Sequence, residues 1–207
     1  MTRADNRYAQ VVIDSTSTVE DYCILGHPPR GVAEEMLSVV IGAGAIIRSH
    51  TVIYAGVRIG ERFQCGHGVL IRERTEIGSD CSVGSGSVIE FEVSVGDGVR
   101  LHSQCFVPEY SVLEDGCWLG PRVVLTNARY PSALRTKDLL EPVRVGKGAK
   151  IGANATILPG LKLGAGCLVG AGAVVVRDVS PGTIVVGNPA REIGLVSGLV
   201  DVGGPVY

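Results

Sequence analysis

Histidine, glutamate and asparagine side chains recur along this chain at nearly equal intervals. Glu109 and Asn127 are one repeat length apart along the chain, and Glu73 precedes Glu109 by two repeat lengths. Three histidines, His50, His67 and His102, are separated by almost one and then almost two repeat lengths. In a coiled fold that completes one turn per repeat length, the histidines would lie near each other, and so would the glutamates and the asparagine. Imidazole can then accept a proton near neutral pH, and an amide can stabilise a developing oxyanion.

The chain also has a six-residue repeat, or hexad, and the repeat length between Glu109 and Asn127 equals three hexads. Fifteen consecutive positions, each six residues after the last, run from Ile41 to Leu125, and every one is aliphatic or cysteine. The same spacing restarts at Val145 and continues to Val175, and a shorter prelude begins at Ile13. A period of six fits neither an amphipathic helix nor an alternating strand. It fits a solenoid in which each hexad forms one short strand and one corner.

Such a solenoid turns its aliphatic residues inward, and glycine often follows them where a Cβ would crowd the turn. Three hexads close one triangular coil, and the chain is long enough for about eight coils that rise by about 4.8 Å each. Each coil buries its inner face only by stacking on the next. The predicted domain covers residues 1–194, with insertions at residues 27–40 and 127–144. A short tail at residues 195–207 follows.

The composition excludes several classes of protein. Hydrophobic residues make up 45% of the chain, which excludes disorder, although aromatic residues make up only 5%. The net charge of −2 does not indicate a nucleic-acid partner. The sequence has no apolar run long enough to span a membrane. Its first ten residues lack the apolar segment of a signal peptide, so we expect a cytoplasmic protein.

The cysteines are predicted to be free thiols that pack in the core. A reducing compartment favours free thiols, and a buried cysteine behaves as a small hydrophobic residue. Five cysteines occupy inward positions of the hexads: Cys65, Cys81, Cys105, Cys117 and Cys167.

The repeats resemble the left-handed parallel β-helix of hexapeptide-repeat proteins, in which acyltransferases are common. The segment from Trp118 to Pro131 is similar to the W-I-G-x-x-V-x-x-T-N-D-x-Y-P stretch of sugar and nucleotide-sugar acetyltransferases, except that Ala128 replaces the acidic residue. The run from Val185 to Arg191 resembles the V-x-G-N-P-A-[KR] ending of members that use CoA. The resemblance implies a homotrimer that takes acetyl-CoA as acyl donor. It also implies an amine or hydroxyl of a sugar or nucleotide-linked sugar as acceptor.

In this family the CoA arm lies along the last coils, between adjacent subunits. The resemblance therefore implies donor contacts near the C-terminus of the repeats, where Arg has the fork geometry that suits a phosphate. The candidates are Gly152, Gly170, Asn188, Pro189 and Arg191. A simple solvated side chain is the alternative for Arg191.

His102 is the preferred general base, with His67 as second choice and Asn127 as a further catalytic candidate. The alternatives are corner histidines that hydrogen-bond to the neighbouring coil, and an asparagine that caps the start of the loop. Predicted acceptor contacts are Glu73, Glu109, Gln104, Trp118, Arg129 and Tyr130. Each has an open alternative. The glutamates could form salt bridges, Trp118 could simply cover the edge of a coil, and the charged loop residues could simply be solvated.

Two other classes of protein are also considered. A non-catalytic β-helix subunit would keep the hexads but would not need the loop or the GNPAR ending. A γ-type carbonic anhydrase would need three histidine ligands around a metal. His67 and His102 have a suitable separation for it, but no histidine follows His102. No metal site is therefore predicted.

Overall fold

A computed structural model describes residues 10–31, 37–201 and 204–205. Nearly all regular structure in this part of the chain is parallel β-sheet. Three sheets run along the molecule, and the first 24 strands belong to sheets I, II and III in turn. This arrangement confirms the predicted left-handed parallel β-helix with three sides and eight coils.

The strands are two to five residues long, as expected when each hexad provides one side of a coil. Sheet I contains β1 Val11–Ile13, β4 Val39–Ile41, β7 Arg58–Ile59, β10 Glu76–Ile77, β13 Ser94–Val95, β16 Val112–Leu113, β19 Arg144–Val145 and β22 Lys162–Leu163. Sheet II contains β2 Thr18–Val19, β5 Ile46–Ile47, β8 Gln64–Cys65, β11 Ser82–Val83, β14 Arg100–Leu101, β17 Trp118–Leu119, β20 Lys150–Ile151, β23 Leu168–Val169, β25 Thr183–Val186 and β26 Arg191–Leu195.

Sheet III contains β3 Ile24–His27, β6 Val52–Tyr54, β9 Leu70–Ile71, β12 Val88–Ile89, β15 Phe106–Val107, β18 Val124–Leu125, β21 Thr156–Ile157 and β24 Val174–Val175. Among the described residues, two short 3-10 helices, Thr136–Leu139 and Val196–Gly198, lie outside the coils. Strands β27 Val200–Asp201 and β28 Gly204–Pro205 form a separate hairpin.

The register between coils is three hexads wherever no insertion intervenes, as in the pairing of Ile41 with Ile59. The first pairing joins Ile13 to Ile41, which adds ten residues, and a later one joins Leu125 to Ile157, which adds fourteen. Both insertions leave and re-enter the coil in register, so the inward positions continue on the far side.

The core consists of the inward residues of the hexads. All fifteen positions from Ile41 to Leu125 are buried, as are the six from Val145 to Val175. The cysteines are free and buried, as predicted. Burial raises the pKa of the Cys117 thiol to about 12 and that of Cys81 to about 11. These thiols therefore stay protonated and serve the packing.

Glycine occurs at two positions of the hexad for two different reasons. Directly after the inward aliphatic residue, the next coil passes so close that a Cβ on Gly60 would lie 2.7 Å from the carbonyl carbon of Gly78. Two residues later the chain turns with positive φ, as at Gly98, where a Cβ would meet no atom within 4 Å. At Gly60 a side chain is excluded because of contact with the next coil. The second position only favours glycine because of its backbone conformation.

The last coil ends differently from the others. Strand β26 turns back and pairs antiparallel with β25, with Val186 opposite Arg191. It covers one open edge of sheet II, which would otherwise present unpaired backbone groups. The hexad pattern alone does not predict this reversal.

The two glycine positions should respond differently to alanine. We expect Gly60→Ala to lower the free energy of unfolding by about 3 kcal/mol, because the neighbouring coil must move. Gly98→Ala, at the same corner, should cost only about 1 kcal/mol, because its penalty is the left-handed backbone alone. Urea unfolding of both variants measures the difference, and a larger loss for Gly98→Ala would contradict this account.

Candidate functional site

Two corners of the prism contain most of the predicted site residues. The turns between sheets II and III, here called the His corner, include residues 20–23, 48–51, 66–69, 84–87, 102–105, 120–123, 152–155 and 170–173. The turns between sheets III and I, here called the Glu/Asn corner, include residues 72–75, 90–93, 108–111 and the inserted loop at 126–143. Both corners border sheet III, one on each side.

His102 lies halfway along the His corner, against the only tryptophan. The His102 and Trp118 rings meet edge to face with centroids 4.8 Å apart. The pKa of His102 is lowered, mainly because burial disfavours the imidazolium and also because Arg100 is nearby. An imidazole that is neutral at physiological pH can accept a proton, so the environment of His102 suits a general base.

Gln104 follows in the same turn, and its side-chain oxygen accepts a hydrogen bond of 2.7 Å from Nε of Arg122. Gln104 therefore presents its amide nitrogen to the surface beside His102. This is a position from which it could contact an acceptor.

His67 belongs to a polar cluster two coils earlier. The Ser49 hydroxyl lies 2.9 Å from Nδ1 of His67 and 3.1 Å from Nδ1 of His50. A carboxylate oxygen of Glu20 lies 3.8 Å from the same nitrogen of His67. The hydroxyl can donate to one ring and accept from the other, so it fixes the orientation of both imidazoles.

The Glu/Asn corner brings Asn127 and Glu109 into contact. Nδ2 of Asn127 donates to the Glu109 carboxylate at 2.7 Å and to its main-chain oxygen at 3.4 Å. The main-chain oxygen of Asn127 also accepts a bond from the Glu141 nitrogen, which ties the two ends of the inserted loop together. The Asn127 amide can donate to a substrate oxyanion only if it gives up one of its hydrogen bonds to Glu109.

Glu73 forms an ion pair at the other end of this corner, which was one of the alternatives from sequence. Arg72 donates to both of its carboxylate oxygens, at 2.8 and 3.0 Å, and to Glu90 at 3.2 Å. The Arg72 guanidinium also lies 4.8 Å from the centre of the Tyr54 ring. One cation therefore serves two carboxylates here, whereas Glu109 is held by a neutral amide.

The inserted loop encloses a pocket of about 390 Å³ that includes Ala128, Tyr130 and Leu140 in its walls. Arg129 forms a two-point ion pair with Glu141, at 3.0 and 3.1 Å, and this pair holds the pKa of Glu141 below its usual range. Tyr130 is 73% exposed. The loop thus presents the Tyr130 ring to solvent, while Arg129 is held by its ion pair within the loop.

The predicted donor residues continue the His corner beyond His102. A Cβ on Gly170 would lie 2.7 Å from a methyl carbon of Val186, and a Cβ on Gly152 would overlap the backbone of Ala171. The turn after β25 contains the cis peptide bond between Asn188 and Pro189, and it lies over the last turn of this corner. Arg191 follows as an exposed residue at the start of β26.

Sheet III carries an apolar outer face, which the sequence reasoning missed. Its outward side chains, one from each coil, are Ile24, Val52, Leu70, Val88, Phe106, Val124, Thr156 and Val174. All are half-buried. The outward positions of sheet I include Arg58, Glu76, Ser94, Arg144 and Lys162 instead. Contiguous apolar surface of this kind marks an interaction site.

Within one chain, the structure gathers His67, His102, Gln104, Gly152, Gly170, Asn188 and Pro189 at the His corner. It places Glu73, Glu109, Asn127, Arg129 and Tyr130 at the Glu/Asn corner. Trp118 joins the first group through its ring contact. The two groups lie on opposite sides of sheet III, so a single chain does not bring them together.

Among the described residues, no three His, Cys, Asp or Glu side chains converge as a metal site requires. No helix in the same residues has the length and apolar character needed to cross a bilayer.

Two family models match the repeats. The bacterial transferase hexapeptide model (six repeats) matches residues 142–177, and the model of the hexapeptide repeat of succinyl-transferase matches residues 74–103. Both matched stretches lie within the eight coils, so over these residues the chain is similar to the hexapeptide repeats of transferases.

Curated relatives match over shorter stretches. Nodulation protein L of Rhizobium meliloti is 49% identical over 84 residues, which are 39% of this chain and 46% of that protein. A 2,3,4,5-tetrahydropyridine-2,6-dicarboxylate N-acetyltransferase of Ligilactobacillus salivarius is 49% identical over 61 residues, 30% of this chain and 26% of the relative. The chain thus spans less than half the length of each.

Among solved structures, PerB from Caulobacter crescentus, in complex with CoA and GDP-perosamine, is 27% identical. The match covers 78% of this chain and 59% of that one, with a TM-score of 0.45.

The neighbours of His102 should control its titration. Replacing Arg100 by glutamine removes a positive charge that disfavours the imidazolium. We therefore expect the pKa of His102 to rise toward the ordinary value of about 6.5. An NMR titration of the imidazole signals measures the shift. Arg58→Gln, a strand arginine on sheet I, is the matched control and should leave His102 unchanged. A downward shift with Arg100→Gln would contradict the assignment.

Proposed function

We propose that this chain is an acetyl-CoA-dependent acetyltransferase that acts on an amine or hydroxyl of a sugar or nucleotide-linked sugar. The observation that carries the proposal is the packing of the His102 ring against Trp118 on the same corner as the glycines that lead to the turn at Asn188 and Pro189. Similar proteins support it, because the Ligilactobacillus relative is an N-acetyltransferase and an Escherichia coli relative is a chloramphenicol acetyltransferase.

In the proposed reaction the acceptor nitrogen or oxygen attacks the thioester carbonyl carbon. His102 takes the proton that the acceptor loses, and the carbon–sulfur bond breaks as the intermediate collapses. The same imidazolium returns the proton to the leaving thiolate, so that the enzyme ends in its starting state. Asn127 is the proposed side-chain donor for the oxyanion, and His67 is the alternative base.

Acetyl-CoA, the acyl donor, would lie along the part of the His corner that follows His102 toward the C-terminus. In these turns glycine directly follows the inward residue, so an extended arm can approach the backbone closely at those positions. Gly152 and Gly170 line this path, and Asn188 and Pro189 close it. Arg191 is proposed to meet a phosphate of the donor, since its guanidinium is exposed and offers paired N–H groups.

The acceptor would be held by residues from both corners. Trp118 and Gln104 flank His102, while Glu109, Glu73, Arg129 and Tyr130 belong to the other corner. A homotrimer that buries the apolar face of sheet III would solve this separation, because that face is bordered by the two corners. In a cyclic assembly each interface joins different surfaces of neighbouring copies. The His corner of one copy then meets the Glu/Asn corner of the next.

The direct test is thiol release from acetyl-CoA with a panel of amino-sugar, sugar and sugar-nucleotide acceptors. We expect release above background with at least one acceptor. His102→Ala should lower turnover by about 10²–10⁴-fold, the usual contribution of a general base, while the Kd for acetyl-CoA changes little.

His67→Ala is the matched variant for that assay. A small effect there, with a large one at His102, assigns the base, and the reverse pattern would transfer the role to His67. Metal in the purified protein without CoA binding would contradict the acetyltransferase proposal. Absence of both transfer and CoA binding would favour a scaffold subunit.

The role of sheet III can be tested by oligomeric state. Val88→Glu places a charge on the apolar outer face, so we expect it to shift the protein from trimer to monomer in sedimentation experiments. Val112→Glu is the control, because Val112 is also an outward, half-buried strand valine but lies on sheet I. Equal behaviour of the two variants would contradict an interface on sheet III.

Mixed assemblies test whether the site is shared between copies. Co-expression of His102→Ala chains with Glu109→Gln chains creates interfaces in which both native residues meet. Activity above that of either variant alone indicates a site built from two copies. No recovery would contradict a site that combines His102 of one copy with Glu109 of another.

A further inference from the structure

The first two coils of the His corner carry a pair of stacked aromatic rings that the proposed chemistry does not use. Tyr22 and His50 lie with ring centroids 5.2 Å apart and planes 24° from parallel. Tyr22 is 71% exposed, and His50 is also exposed. Each occupies the positive-φ position of its turn, with φ of 64°. The backbone thus holds two rings outward, one above the other.

Beyond His50 the same position is occupied by glycine. Gly68 and Gly86 follow on the next two coils, and a Cβ on Gly68 would meet no atom within 4 Å. The face of the His50 ring that points toward His102 is therefore not covered by a side chain from this column. We call this stretch of the corner the trough: it has the two aromatic rings at one end, glycine at the next two positions of the column and His102 at the other end.

Polar groups surround the aromatic end. An open pocket of about 400 Å³ is lined there by residues that include Asp21, Tyr22, Ser49 and His50. Ser49 fixes the His50 imidazole through Nδ1. Asp21 places a carboxylate at the rim, and carboxylates accept hydrogen bonds from hydroxyl and ring N–H groups. Along the trough, His67 provides an exposed imidazole.

We propose that this trough binds the nucleoside diphosphate portion of a nucleotide-linked sugar acceptor, with the base stacked on the Tyr22–His50 pair. Aromatic rings bind bases by stacking, and the Asp21 carboxylate would accept hydrogen bonds from the ribose or the base. His67 would donate to the diphosphate along the trough. The sugar then lies at His102.

The dimensions fit an extended ligand of this class. Three coil spacings separate His50 from His102, a rise of about 14 Å at about 4.8 Å per coil. A free sugar is too short to reach both ends, whereas a sugar joined to a nucleoside through two phosphates can. The acceptor therefore approaches from the N-terminal coils and the donor from the C-terminal coils. This inference rests on the proposed function, which assigns His102 as the base.

Calorimetric titration of the full chain with UDP, dTDP and GDP tests the trough. We expect at least one of them to bind. Tyr22→Ala and His50→Ala should each weaken that binding by about tenfold, the usual loss when one stacking ring is removed. Tyr22→Phe keeps the ring and should restore affinity. Arg62→Ala changes a positive-φ residue at the corner between sheets I and II, and should leave affinity unchanged.

Titration with acetyl-CoA separates this inference from the proposed function. If Tyr22→Ala weakens acetyl-CoA instead of the nucleoside diphosphates, the rings hold the adenine of the donor and the inference is wrong. If no nucleoside diphosphate binds while the chain still acetylates simple sugars, the acetyltransferase proposal stands and the trough proposal falls. Unchanged nucleotide affinity in both alanine variants would also overturn it.

Discussion

Close approach of successive coils is the constraint on which the rest of this structure depends. Neighbouring parallel strands lie about 4.8 Å apart, and at each corner this spacing brings the backbone of one coil against that of the next. Gly42, Gly60 and Gly78 occupy positions where even a methyl group would penetrate the following coil. Because each coil follows the path of the one before it, residues three hexads apart lie directly above one another at a corner. Columns of side chains, and hence the candidate site, follow from that spacing.

The columns produce two electrostatically different edges on either side of an apolar face. Around His102, burial and a nearby arginine favour the neutral imidazole. At the opposite edge, Arg72 is shared by two carboxylates, and burial raises the pKa of Glu90 even beside that cation. The hydrophobic strip between the two edges gives a physical reason for copies to associate, and the proposed trimer would place unlike edges together. Packing and proposed chemistry therefore depend on the same sheet.

Much of this arrangement is predictable from sequence, because periodicity determines which side chains face inward and which share a corner. The shared corner of Asn127 and Glu109 was predicted in this way, because three hexads separate the two residues, and the structure adds the hydrogen bond between them. The stacking of Tyr22 on His50 was not, because ten inserted residues change the register between their coils. The fourteen extra residues before Val145 similarly hide the alignment of Gly152 with His102. The ring contact of His102 with Trp118 depends on rotamers, which a repeat does not encode.

The uniform coil height gives this trough the character of a molecular ruler. Because every coil adds one strand spacing and three hexads, the distance between two functions on one edge is a whole number of coils. Evolution can lengthen or shorten that distance by duplicating or deleting a coil between them, while every inward residue stays in phase. Selectivity for acceptor length would then be set by counting coils, whereas a globular enzyme must reshape a cavity to achieve the same change.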